Sequence, residues 1–424
     1  MKKDKTCTPI RAERFHIVLA GGCLLTGGIG GLVALSYRLL LERSEVWLSD
    51  ILEYVGGDPL KTAGWFVVLV FLAWLVSRLL KYEPLTAGSG VVQVKGELAG
   101  EEEQSWQRVL PVKFLGGFLC LMGGLAMGRA GPSIQMSALA GKGVAQGLRQ
   151  GKSEEKLLVI CGAGAGLAAT FHAPFAGLLF VLEGFRRARS VTAGILTAVS
   201  CLTASLISFA ILGVKPVFYV DTVRTLPGCC YVLVILLGVV LGILAVFYSW
   251  FHRKAKEVYQ NVPFLNGWKR MLVPFMYAGA LSLTVPGLLG SGHGLLDRLA
   301  GGDVLIGAAA LIFAGRFLFS AVCFGSGAPG GIFVPLLVLG GYLGGIFAMA
   351  GVQLFGLDAG LVNHFVLFAM AGYFAAVIRT PLTAVVLVCE MTGSPAQMIP
   401  MAVVSVTAWA VSQVCGIEPI LGKK

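Results

Sequence analysis

From about Ile17 onward the chain is a succession of apolar runs, and this restricts its fold more than any other feature. The first run extends from Ile17 to Leu41. Others begin near Trp65, Val109, Ser133, Leu157, Val191, Tyr231, Met271, Val304, Ile332, Phe365 and Met398. A helix needs about twenty apolar residues to cross a bilayer. Several of these runs are shorter or are cut by Gly and Pro. Such broken segments are tolerated in a membrane only where they are buried in protein or line a cavity. The pattern predicts an all-α polytopic membrane protein with many short and broken helices.

Composition points the same way. Of 424 residues 56% are hydrophobic and only 13% charged, against about a quarter charged in soluble domains. This excludes a cytosolic globular protein, a disordered chain and a nucleic-acid-binding tail. The net charge of +11 is read as cationic loops facing anionic lipid on the cytoplasmic side, with no nucleic acid as partner. The clusters Arg186-Arg187-Arg189, Arg253-Lys254-Lys256, Lys269-Arg270 and Lys423-Lys424 all fall in breaks between runs. The basic start of the chain leads into a run too long for a signal-peptide core, so it is read as a retained first span. Both chain ends are expected in the cytoplasm. The expected division is a cytoplasmic segment 1–14, a first transmembrane half 15–220, a second half 221–418 and a cytoplasmic end 419–424, with no soluble domain after the last span.

The ten cysteines lie mostly singly inside apolar runs and form no C-x-x-C pair, so they read as small buried hydrophobes. The five histidines show no metal-ligand spacing. Gly162-Ala-Gly164-Ala-Gly166 lacks the strand–helix context of a nucleotide loop. No cofactor and no metal are expected.

The chain contains an internal repeat. Ala165 to Pro174 resembles Ala371 to Pro381 with one residue inserted, and a glutamate follows each proline at the same distance, Glu183 and Glu390. Upstream, Lys113-Phe-Leu precedes Gly131-Pro132 at the same spacing as Arg316-Phe-Leu precedes Val334-Pro335. Two matches in the same order indicate duplication, and duplicated membrane halves place a ligand site at the midplane from the ends of discontinuous helices. The matching positions of Glu183 and Glu390 favour a structural job at helix ends over a role on an ion path. Lys113 and Arg316 either add positive potential to such a path or snorkel and pair.

Three Gly-rich interruptions stand out: Gly88-Ser89-Gly90, Gly128-Arg129-Ala130-Gly131-Pro132, and Gly325 to Pro335. In the last two a proline follows the glycines and is expected at the first helical position. Glycines let backbone N–H groups approach a ligand closely, and a helix N-terminus is a ready anion site. The three motifs together predict an anion pathway lined by helix N-termini, with Ser89 adding a hydroxyl donor. Arg129, within the second motif, is expected to act electrostatically.

These motifs, in this order, resemble the CLC family of chloride channels and chloride/proton antiporters. Arg108 to Phe114, Ala165 to Glu183, Ile378 to Thr392 and the run Gly325 to Phe333 strengthen the match, which covers nearly the whole chain. The resemblance implies an inverted repeat of short, tilted helices and a homodimer with one pore per subunit. It also implies a bacterial-type member in the inner (plasma) membrane, without the C-terminal regulatory domains of eukaryotic members. Carried over residue by residue, Ser89, Ile332 and Phe333 contact a central chloride, with Leu421 at the position of the tyrosine that closes this site from inside. Arg129, Ala130, Gly131, Phe333 and Val334 form an outer anion site. A serine at the first motif favours chloride over nitrate, other halides remaining open.

The departures are informative. The family's gating glutamate, which carries the proton, is Ala130 here, and the inner proton glutamate is Gly184. Gly90 is followed by Val91-Val92 where isoleucine-proline is usual. Neither a methyl group nor a hydrogen can bind a proton. The expectation is passive, channel-like chloride transport without tight proton coupling, and no enzyme activity. The alternatives are an antiporter with weak or substitute coupling, or one whose gate has been replaced by design. A remote one is an intramembrane enzyme with Ser89 or Ser326 as nucleophile, which lacks a partner base.

Overall fold

The structure is a computed structural model and describes residues 9–185, 190–220, 226–416 and 420–422. The basic clusters 186–189 and 423–424, most of the chain's basic start, Pro419 and the residues just after the 220/221 division lie outside the described residues. Among the described residues the regular structure is helical, sixteen α-helices joined by short 3-10 turns. Eight of the helical segments are long and apolar enough to cross a membrane.

The helices fall into two series of eight in matching order. Helix α1 (Pro9–Val55) corresponds to α9 (Tyr231–Asn261), and α2 (Pro59–Tyr82) to α10 (Lys269–Thr284). Short α3 (Val91–Ala99) corresponds to α11 (His293–Ala300), and α4 (Trp106–Met122) to α12 (Ile306–Gly325). Then α5 (Ala130–Gly147) matches α13 (Phe333–Phe355) and α6 (Lys152–Phe171) matches α14 (Val362–Ile378). Last, α7 (Pro174–Gly184) matches α15 (Pro381–Thr392) and α8 (Val191–Leu212) matches α16 (Met398–Val414).

Equivalent helices end in the same way. Both α6 and α14 stop at a left-handed residue, His172 at φ 57° and Arg379 at φ 65°. The next helix of each then begins with proline at its first turn, where a missing N–H costs nothing. Glycine lets the central helices touch backbone to backbone. A Cβ at Gly162 would run into the Ser137 carbonyl, and one at Gly344 into that of Phe365, which seats α6 on α5 and α14 on α13. Helix α14 is apolar all round and buried along almost its whole length, as expected for a helix surrounded by protein.

One element exceeds its sequence limits. The apolar run ends at Leu41, yet α1 continues to Val55 and begins at Pro9, inside the segment assigned to the cytoplasm. The added turns are held by the ion pair of Arg38 Nε with Glu42 at 2.9 Å, one helical turn apart.

Candidate anion site

The three Gly-rich loops meet. Gly128 and Gly331 exchange two backbone hydrogen bonds, 2.7 Å and 2.6 Å, forming a one-rung antiparallel bridge. The first loop joins through Gly88, whose amide donates to the Gly327 carbonyl at 3.0 Å and whose carbonyl accepts from the Gly330 amide at 3.1 Å. Glycine is required at this junction. A Cβ on Gly131 would lie 2.6 Å from the Ser89 carbonyl, and one on Gly331 would lie 2.7 Å from the Gly128 carbonyl.

This junction brings together the N-termini of α3, α5 and α13. The prolines differ from expectation: α5 starts at Ala130 and α13 at Phe333, so Pro132 and Pro335 occupy the third helical position. All of the first turn's N–H groups lack intrahelical partners, so a proline there is as harmless as at the first position. The first intrahelical bonds beyond them run from Ser133 to Arg129 at 3.1 Å and from Leu336 to Ile332 at 3.0 Å. The amides of Ala130, Gly131, Phe333 and Val334 make no hydrogen bond outside their own helices among the described residues. Ala130, Gly131, Ile332, Phe333 and Val334 are buried, whereas Ser89 is half-buried. Gly90, at φ 92°, caps α3 in a left-handed conformation that glycine alone adopts without strain.

Lys113 and Arg316 hold the loops from behind. Lys113 Nζ donates to the carbonyls of Thr86 at 2.9 Å and Gly88 at 2.6 Å. Arg316 donates to Leu288 at 2.5 Å and Gly290 at 2.6 Å. Both side chains are fully buried, so pairing with backbone, not snorkelling, is their structural job.

This equivalence exposes a fourth loop that sequence reading missed, Gly290-Ser291-Gly292 before α11. Gly292 again has φ 92°. The signal was its spacing to Arg316, which reproduces that of Gly88 to Lys113 within one residue. In this copy the Ser291 amide donates to the Glu45 carboxylate at 2.6 Å; in the first copy no side chain among the described residues takes the Ser89 amide.

Two further residues went unread. Glu42 receives Arg129 Nη1 at 2.5 Å as well as Arg38, so the guanidinium next to Ala130 is already partly neutralised. Arg129 itself is buried. Glu42, Glu45, Arg129, Ser291 and His293 line one small cavity, which gathers carboxylates beside the second loop.

Deeper in, the Phe333 ring packs edge-on against Phe180 (centroids 5.7 Å apart) and Phe374 (5.0 Å). Phe180 lies one turn before Gly184 on α7. A Cβ on Gly184 would meet nothing within 4 Å, so an acid there is absent for reasons other than space. Leu421 is buried, and its carbonyl accepts from Lys95 Nζ at 3.2 Å, which ties the chain's end to α3. Its side chain has no donor and can contact an anion only by van der Waals packing. Glu183 and Glu390 cap helices: Glu183 accepts from the amides of Leu382 (3.0 Å) and Thr383 (2.7 Å) on α15. Glu390 accepts from Phe175 (3.2 Å) and Ala176 (2.8 Å) on α7.

Known proteins share this sequence pattern and fold. Residues 66–413 match the family model described as voltage gated chloride channel. The H(+)/Cl(-) exchange transporter ClcA of Vibrio cholerae is 32% identical over 99% of this chain and 90% of its own length. That of Klebsiella pneumoniae is 32% identical over 97% and 89%. Among solved structures, a slow cyanobacterial Cl-/H+ antiporter superposes with a TM-score of 0.90 at 28% identity, covering 95% of this chain and 96% of that one. A eukaryotic CLC transporter superposes at 0.81 and 22% identity, covering 96% and 73%, which supports the fold. Sixteen helices in two matched series among the described residues, loops joined at Gly88, Gly128 and Gly331, and a family match across most of the sequence place this chain in the CLC family of anion-transporting membrane proteins.

Proposed function

We propose that this chain conducts chloride passively, without tight coupling to protons. The observation that carries the reading is a pair of absences within an intact scaffold. Three helix N-termini still converge, while the positions at which the family's antiporters keep their two acids hold Ala130 and Gly184. Coupled exchange needs a group that binds a proton in one step and leaves the anion's place in another, and neither side chain does so.

In this reading Ser89 and the amides of Ile332 and Phe333 hold a central chloride, with Leu421 packing below it. The amides of Arg129, Ala130, Gly131, Phe333 and Val334 hold an outer one. Partly charged amides at helix ends hold an anion without trapping it. Other halides or nitrate compete for the same donors, and no cofactor takes part. The proposed assembly is a homodimer with a pore in each subunit, in an inner (plasma) membrane, with both chain ends in the cytoplasm. The basic ends of α2 and α9 favour that orientation.

A second reading is an antiporter with weak or substitute coupling, favoured by the names of the ClcA relatives and by Glu42 and Glu45 beside Arg129. Liposome efflux with simultaneous chloride and proton recording separates the two. Passive conduction predicts chloride efflux with no chloride-driven proton movement. Protons driven uphill by a chloride gradient contradict it.

A further inference from the structure

A cavity of about 540 Å³ lies between the end of α2, the loop before α3 and the start of α10. Three cations line it, Arg78, Lys81 and Arg270, and no acidic side chain among the described residues does. Arg78 and Lys81 are exposed. Two tryptophans frame the cavity, Trp74 at 43% and Trp268 at 40% exposure, and Arg78 lies over the Trp74 ring at 5.8 Å. Trp268 caps the start of α10 and Trp74 lies two turns before the end of α2, and half-exposed tryptophans near the ends of membrane helices mark the interfacial level of a bilayer. With both chain ends in the cytoplasm, as in the proposed topology, α2 ends and α10 begins on the cytoplasmic side, whose leaflet is the anionic one.

We propose that this cavity binds the headgroup of an anionic glycerophospholipid, its phosphate among Arg78, Lys81 and Arg270 and its upper acyl chains against Trp74 and Trp268. A basic pocket between membrane helices on the cytoplasmic side suits such a headgroup, and guanidinium groups match phosphate oxygens in pairs. A purely solvated basic face would need neither the cavity nor the tryptophans.

The site touches the pore. Arg270 donates to the Gly325 carbonyl at 3.1 Å, and the cavity is floored by Ser326 and Gly327. Gly327 in turn accepts from Gly88 at 3.0 Å, one residue before Ser89. A headgroup that draws Arg270 toward itself therefore acts on the Gly88–Gly90 and Gly325–Pro335 loops through two hydrogen bonds to backbone.

The test is native mass spectrometry of the purified full chain with dioleoyl-phosphatidylglycerol or dioleoyl-phosphatidylcholine added. The binding readout does not depend on whether transport is coupled. Phosphatidylglycerol should be retained in preference, and Arg78→Gln with Lys81→Gln should weaken its retention about tenfold. The control Arg253→Gln with Lys256→Gln removes the same charge from exposed positions outside the cavity and should leave retention unchanged. Equal retention of both lipids, or equal loss in the control, overturns the site. Inorganic phosphate at millimolar concentration should not displace the lipid; displacement would assign the cavity to free phosphate and overturn the lipid assignment. Because Arg78 and Lys81 are exposed, folding is retained, and chloride efflux of the unmodified chain gives a second readout. Phosphatidylglycerol in the liposomes should change its rate several-fold, and the Arg78→Gln/Lys81→Gln variant should lose that response.

Discussion

The Glu45 carboxylate accepts the Ser291 amide at 2.6 Å, so an acid from α1, in the first half, fills the loop of the second half that corresponds to the one left open at Ser89. Both Gly-Ser-Gly loops end in a glycine at φ 92° and each is held by its own buried cation, Lys113 or Arg316; in the proposed reading only the Ser89 loop takes an ion from solution. In that reading the asymmetry leaves one of the two loops for the anion path. A carboxylate that reaches such a loop accepts its amides, as Glu45 does at Ser291, and would compete there with the proposed anion.

Ala130→Glu should reproduce that competition at the outer site. A carboxylate at the first position of α5 meets the unpartnered amides of its own turn and displaces chloride. Flux at neutral pH should fall about tenfold, which corresponds to about 1.4 kcal/mol. Protonation removes the competing charge, so flux should recover as pH falls through about 4–5, the ordinary range of a glutamate. Efflux rates across a pH series check this.

Gly131→Ala and Gly331→Ala should each abolish flux. The added Cβ would lie 2.6 Å from the Ser89 carbonyl in the first case and 2.7 Å from that of Gly128 in the second. Backbone cannot step aside as a flexible side chain does, and overpacking of this kind costs about 1–3 kcal/mol. Gly184→Ala, with nothing within 4 Å, should leave flux and stability unchanged. Thermal unfolding in detergent alongside efflux separates the three.

Lys113→Met should leave the Thr86 carbonyl unpartnered, the Gly88 carbonyl keeping the Gly330 amide, and Arg316→Met the carbonyls of Leu288 and Gly290, lowering stability by about 1–3 kcal/mol per carbonyl. Their functional effects should differ. Lys113 fixes the loop that carries Ser89, so its loss should weaken chloride binding severalfold in titration calorimetry. Arg316 fixes the loop already filled by Glu45, so its loss should lower the melting temperature and spare chloride affinity.

Glu183→Ala and Glu390→Ala should destabilise the fold to similar extents, because each carboxylate caps the helix whose partner caps its own. Hydrogen bonds to a charged group contribute about 1.5–3 kcal/mol. The double variant should lose less than the sum, since the two caps hold one shared interface between α7 and α15. Melting curves of the three variants test this, and none should acquire proton transport.

The duplication was legible because its marks are local: Pro174 and Pro381 start helices, and Glu183 and Glu390 end them at equal spacing. The three glycine motifs were legible for the same reason, since Gly next to Pro in an apolar run has few uses. The loop at Gly290-Ser291-Gly292 escaped because the next residues differ, Val91-Val92 in one half and His293-Gly294 in the other, and only the distance to Arg316 preserved the match. Glu42 and Glu45 escaped because acids at the end of an apolar run look like a solvated helix end. Their partners, Arg129 and Ser291, are distant in sequence. The placement of Pro132 and Pro335 was misjudged because the N–H groups of a first turn all lack partners, and sequence does not distinguish among them.

The central claim is that chloride moves here without protons. The most direct measurement is the reversal potential of the purified chain in a planar bilayer or in voltage-reporting liposomes, at a fixed chloride gradient and with a pH gradient imposed. Passive conduction predicts a reversal potential at the chloride equilibrium value that stays put when the pH gradient changes. A reversal potential that moves with the pH gradient would contradict it.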